Sequence, residues 1–115
     1  MDAPTSGINV NGRDIEEPLV LLWFSAQWCG PCKQLNPVME TVVGAYKGRV
    51  RIFKIDVDKQ QDLVQQYAIR SVPTLTLLGS KGIADQRTGL ISVTDIRQWL
   101  DHHLANENAN QRRAS

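Results

Sequence analysis

The stretch from Pro18 to Phe24 reads Pro-Leu-Val-Leu-Leu-Trp-Phe, with no polar residue to mark a solvent face. A half-exposed strand alternates apolar and polar side chains, so a short run without alternation describes a strand covered on both sides. Such a strand lies inside a sheet that carries other elements on each face. The run is also far shorter than the ~20 residues a membrane-spanning helix needs. Met1 to Gly7 has neither a basic start nor an apolar stretch, so no export or anchoring segment is expected.

The rest of the chain supplies what would cover that strand. From Cys32 to about Tyr46 the apolar positions Leu35, Val38, Met39, Val42 and Val43 follow the spacing of one helical face, and Pro37 predicts a kink within it. Pro31 suits the first helical turn, where its missing N–H costs nothing. Val50 to Val57 reads as a second strand and Lys59 to Tyr67 as a short helix on Leu63, Val64 and Tyr67. This strand-helix-strand-helix order calls for parallel pairing. Thr74 to Leu78 is a third strand; the turn Gly79-Ser80-Lys81-Gly82 joins it to a weaker strand from about Ile83 to Thr88 as an antiparallel hairpin. Ser92 opens a last helix with Val93, Ile96, Trp99, Leu100 and Leu104 on its apolar face and Asp95 completing an acidic capping box. A short strand at Ile8 to Val10 and a turn or helix near Arg13 to Glu17 complete the expected elements. Residues 1–105 read as one domain, and the aperiodic polar segment 106–115 as a mobile tail.

Charge removes one class of function. Thirteen Lys and Arg against twelve Asp and Glu leave a net charge of +1, which offers no broad attraction for phosphates or anionic lipid. Neither nucleic acid nor a membrane is an expected partner.

The only cysteines are Cys29 and Cys32, within Trp28-Cys29-Gly30-Pro31-Cys32-Lys33. As a staple the pair is poor, since so short a loop contributes about 2 kcal/mol of chain-entropy stabilisation against about 4.7 for a hundred-residue loop. A structural zinc site usually takes four Cys or His ligands, and the two histidines are adjacent at His102 and His103 near the polar C-terminus, so no metal is expected. A dithiol that cycles between reduced and oxidised forms is what this spacing most often means beside an α/β pattern.

Taken in order, four features resemble the thioredoxin family from about Ile8 to Leu104. They are Trp28 to Lys33 after an apolar strand, Pro37 inside the next helix, Val72-Pro73-Thr74 before a strand, and Gly89 ahead of the final helix. The resemblance implies an α/β thioredoxin fold: a central mixed sheet of four to five strands flanked by helices on both faces, with the first strands parallel and a C-terminal hairpin on one edge. It implies a cis Val72-Pro73 peptide facing the dithiol. It also implies thiol-disulfide oxidoreductase activity on protein disulfides, with no bound cofactor. Cys29 and Cys32 would be catalytic. Trp28, Gly30, Pro31, Val72, Pro73 and Gly89 would receive an extended peptide around the target cysteine. The implied partners are disulfide-containing proteins and a reductase or other dithiol donor, acting with a monomer in the cytoplasm.

The chemistry can be argued from first principles. A thiol of pKa near 8.5 is only about 3% ionised at neutral pH, and a pKa near 7 would make it about half ionised. A helix N-terminus favours a nearby anion by roughly 0.3–2 kcal/mol, and its unpaired N–H groups can donate to sulfur. Cys29 occupies that place, and Cys32, one turn inside, should be less exposed and less ionised. The chain also departs from the family at one position. Thioredoxins usually carry a buried aspartate five residues before the motif tryptophan, assisting proton removal from the second cysteine; here that residue is Trp23. Lys54, which matches the lysine that commonly neighbours the aspartate, is then expected to pair with Asp56, Asp58 or solvent. Trp23 is either core or a modulator of the second redox step, and Lys33 either a solvated residue or a mild positive influence. Two other functions are consistent with the sequence: an oxidant or isomerase, and an interaction module whose dithiol is incidental.

Overall fold

A computed structural model describes residues 17–114 of the chain. The strand expected at Ile8 to Val10 lies outside them, as does the segment from Arg13 to Glu17 apart from its last residue. The apolar run forms β1 (Leu19–Ser25) and every residue in it is buried. It lies between β2 (Val50–Asp56) and β3 (Thr74–Gly79), and β4 (Gly82–Thr88) pairs with β3, giving the order β2-β1-β3-β4 among the described residues. Side chains alternate across β1 as the pleat requires. Leu19, Leu21 and Trp23 face one layer, with α1 (Gly30–Ala45) and α3 (Val93–Ala114), while Val20, Leu22 and Phe24 face the other, with α2 (Gln61–Gln66). Helices therefore cover both faces of a mixed sheet, and each fully buried leucine contributes about 1.5–3 kcal/mol relative to exposure.

Parallel pairing holds only in part, because β1 and β2 are parallel but β3 runs antiparallel to β1. Helix length explains the difference. The 16 residues of α1 span about 24 Å, enough to return along a strand of about 23 Å and start the next one in the same direction. The six residues of α2 span only about 9 Å, so the chain crosses one end of the sheet and re-enters reversed.

α1 runs as one element through Pro37, burying Leu35, Met39 and Val42, while Val43 is 43% exposed and lies outside the core. Tyr46 ends the helix fully buried, its hydroxyl 2.7 Å from Asp101 Oδ1 and 3.2 Å from the Arg97 carbonyl, which ties α1 to α3. Ser92 Oγ accepts from the Asp95 N–H at 3.1 Å, as an N-cap should.

Through the polar segment expected to be a mobile tail, the backbone stays helical to Ala114. No Gly or Pro interrupts the segment, and extending an established helix adds one hydrogen bond per residue. Glu107 anchors it: the residue is buried, and its Oε2 accepts the Ser80 N–H at 3.1 Å in the β3-β4 turn.

On the outer edge, Asp85 of β4 meets α3. Burial opposes its charge, yet the Trp99 indole N–H at 2.7 Å, the Gln86 backbone N–H at 2.7 Å and His103 at 3.2 Å hold its carboxyl below the ordinary value of 3.8. A depressed folded-state value contributes stability that is present above pH 3.8 and lost as pH falls through the folded value. Asp85→Asn is accordingly expected to lose less stability than the parent between about pH 5 and pH 2, read as the shift in urea midpoint. Equal losses in the two proteins would show that Asp85 does not carry this linkage.

Candidate active site

The site forms at the carboxyl ends of the parallel strands, where Ser25 and Asp56 are the last paired residues of β1 and β2. After Ser25 the chain turns through Ala26 to Trp28, and Cys29 caps α1 with an extended backbone (φ −94°, ψ 116°). Cys29 Sγ accepts the Cys32 N–H at 3.1 Å. Sulfur thus takes the position that an oxygen of Ser or Asp occupies at an ordinary N-cap, bonded to the third helical N–H. Pro31 fits within the first turn because the N–H it lacks has no intrahelical acceptor there. Cys29 and Cys32 are joined as a disulfide, with Cα atoms 5.2 Å apart.

Exposure separates the two cysteines in the expected order, 5% for Cys29 and 1% for Cys32. Both pack with Ala26, Val57 and Val72 in a small apolar cluster. The Val72-Pro73 peptide is cis. Its Val72 carbonyl oxygen lies 3.7 Å from Cys29 Sγ, the acceptor a thiol there would use. Pro73 is buried and its carbonyl accepts the Gly89 N–H at 2.9 Å, which places Gly89 on the same rim. Gly89 has φ +96°, a conformation that side-chain-bearing residues rarely adopt. Trp28, next to Cys29 in the chain, is 68% exposed. Trp28, Gly30 and Pro31 adjoin the cysteines in the chain, and the Val72 carbonyl contact and the Pro73–Gly89 hydrogen bond bring Val72, Pro73 and Gly89 toward the same disulfide.

Trp23 of β1 and Lys54 of β2 are partners across the parallel pair. Trp23 is buried in the cluster that contains Leu35, Met39 and Leu75, and its indole N–H has no hydrogen-bond partner among the described residues. Lys54 Nζ stands 4.7 Å from the centre of that ring and donates to Asn36 Oδ1 at 3.1 Å. Of the three expected surroundings for Lys54, Asp56, Asp58 or solvent, the side chain takes solvent, being exposed, and adds an amide and an aromatic face as contacts. Asp58 is engaged elsewhere, its Oδ2 accepting from Trp28 Nε1 at 2.9 Å. The sequence reading missed Asp58 and Asn36 as parts of the site. Register would have revealed Asp58, since Ser25 opposes Asp56 and the residues just past two parallel strand ends emerge side by side. Lys33 is exposed on α1 beside this region.

This arrangement can hold one sulfur at a helix N-terminus, shield the second behind it, and present both beside an exposed aromatic ring. Comparison with known proteins agrees with it. The family model described as Thioredoxin matches residues 10–102. Thioredoxin 2 of Chlorobaculum tepidum is 38% identical over 88 residues, covering 76% of this chain and 81% of that protein. The thioredoxin of Pseudomonas aeruginosa is 30% identical over 103 residues, covering 84% and 95%. Among solved structures, a mutant thioredoxin from Halobacterium salinarum NRC-1 superposes with a TM-score of 0.71 at 32% identity, covering 81% of this chain and 80% of that one. A thioredoxin-2 titled as a component of malaria parasite protein secretion machinery gives 0.74 at 27% identity, covering 81% and 90%. Sulfur pair, sheet order and relatives converge on one conclusion: the chain belongs to the thioredoxin family and is a thiol-disulfide oxidoreductase.

Proposed function

We propose that the protein reduces disulfides in other proteins, with Cys29 as the attacking and Cys32 as the resolving residue. The observation that carries this assignment is the Cys29 sulfur at the α1 N-terminus, accepting the Cys32 N–H at 3.1 Å. In the reduced protein the Cys29 thiolate attacks one sulfur of the target disulfide; a mixed disulfide forms and the first target thiolate leaves. The Cys32 thiol gives up its proton and attacks Cys29 Sγ, forming the intramolecular disulfide and expelling the second target thiolate. Two electrons pass to the target, which takes up two protons, and a reductase or another dithiol donor restores the pair. The rim of Trp28, Gly30, Pro31, Val72, Pro73 and Gly89 seats the target segment. A monomer in a reducing compartment such as the cytoplasm suits this direction of transfer.

Trapping tests it. Cys32→Ser is expected to accumulate covalent adducts with disulfide proteins that dissolve on adding excess dithiol, visible as slower bands on non-reducing gels. Adducts at the same yield in the double variant Cys29→Ser/Cys32→Ser, or none in either, would rule the assignment out.

A further inference from the structure

Beside the dithiol lies a cavity of about 370 Å³ lined by Ser25, Ala26, Gln27, Lys33, Asn36, Lys54 and Asp56. Ala26 forms part of its wall and also packs with Cys29 and Cys32, so the cavity and the sulfur cluster share one small side chain. Its charges are unbalanced. Two lysines, Lys33 and Lys54, face one carboxylate, Asp56, leaving an excess of one positive charge. Asp56 is partly occupied, because its Oδ1 accepts the Asp58 N–H at 2.9 Å. Lys54 is held by neutral groups, the Asn36 amide oxygen and the Trp23 ring, and no carboxylate among the described residues pairs with either lysine. With an indole beside it instead of an acid, Lys54 carries a charge that no carboxylate among the described residues pairs with, on the wall of the cavity that Ala26 joins to the cysteine cluster.

We propose that this cavity is a subsite for an acidic side chain of the disulfide-bearing polypeptide, with Lys33 and Lys54 receiving the carboxylate. The inference rests on the reductase reading above and adds a substrate preference to it. Both lysines are exposed, so their attraction is modest and weakens with salt, and it acts on productive encounter more than on the sulfur chemistry. The Asn36 amide, itself tied to Lys54, and the Gln27 and Ser25 polar groups provide further partners for a carboxylate at the cavity wall.

The test compares peptides that carry one disulfide and differ only in a Glu, Gln or Lys near the attacked cysteine, each flanking position being varied in turn. At low salt the Glu peptide is expected to show a kcat/KM about three- to fivefold above the Gln peptide at one or more positions, with Lys below both. The Glu/Gln ratio should fall toward one at high salt and in Lys33→Gln/Lys54→Gln, and Lys33→Glu should shift preference toward the Lys peptide. Because the ratio is taken within each protein, any general effect of these exposed lysines on thiol reactivity cancels. A wild-type ratio of one at every position, or a ratio that survives in the double variant, overturns the subsite. Failure of the reduced protein to reduce the Gln peptide at all overturns the reductase reading, and the subsite with it.

Discussion

Cys29→Ser is expected to lower the rate of protein disulfide reduction by at least about a thousandfold while leaving the fold intact. Serine is a good N-cap, so its Oγ can accept the Cys32 N–H that Cys29 Sγ accepts at 3.1 Å, and α1 should start where it does now. What disappears is the chemistry, since a hydroxyl neither ionises near neutral pH nor forms a disulfide. Insulin reduction with a chemical dithiol as electron donor measures the loss, and the urea midpoint measures the preserved fold. The variant also separates catalysis from docking. A reductase loses its activity, whereas a module that merely binds a partner through Trp28 and the Val72-Pro73 turn keeps its affinity and its biological effect. Retained reduction in Cys29→Ser contradicts the assignment of the attacking residue.

The second large effect concerns Trp23. Its ring is 6% exposed and packs between α1 and the sheet, so Trp23→Asp is expected to cost about 3–5 kcal/mol of stability, as large-to-small changes at buried aromatic sites do. Lys54, which now stands 4.7 Å from the centre of the ring, offers the new carboxylate a partner and offsets part of that cost. Trp23→Phe keeps most of the packing and discards an indole N–H that is buried with no partner among the described residues, so it should stay close to the parent in stability. The pair of variants then isolates the redox consequence. With no acid at this position, the proton of Cys32 must leave by another route. Trp23→Asp should alter the pH-rate profile of the resolving step, and Trp23→Phe should not. An unchanged profile in a folded Trp23→Asp protein would show that the position acts only through packing.

Local features of the chain were legible because they depend on near neighbours. The unalternated run became a wholly buried central strand, Leu35, Met39 and Val42 turned inward as their spacing required, and Ser92 capped the final helix. Trp99, read as core, is buried and adds a hydrogen bond to Asp85 that its spacing could not reveal. Strand direction was harder, because element order alone does not say whether the six residues of α2 can carry the chain back along the sheet. The helical course of α3 to Ala114 was illegible for a related reason. Polar, aperiodic residues give no sign of a distant contact such as that of Glu107 with Ser80. Lys54 is similar: its partners, Asn36 and Trp23, lie on two other elements and were invisible to any pattern within β2. At the active site the sulfur pair announced itself through spacing, whereas Asp58 under Trp28 emerged only when the register of β1 and β2 was known.

The central claim is that the helix N-terminus makes the Cys29 thiolate easy to form, and it is tested most directly by titrating that thiol in the reduced Cys32→Ser protein through the ultraviolet absorbance of the thiolate. Half-ionisation is expected clearly below the ordinary cysteine value of about 8.5, together with iodoacetamide alkylation that follows the same curve. A thiol that stays neutral until about pH 8.5 or above would contradict the account.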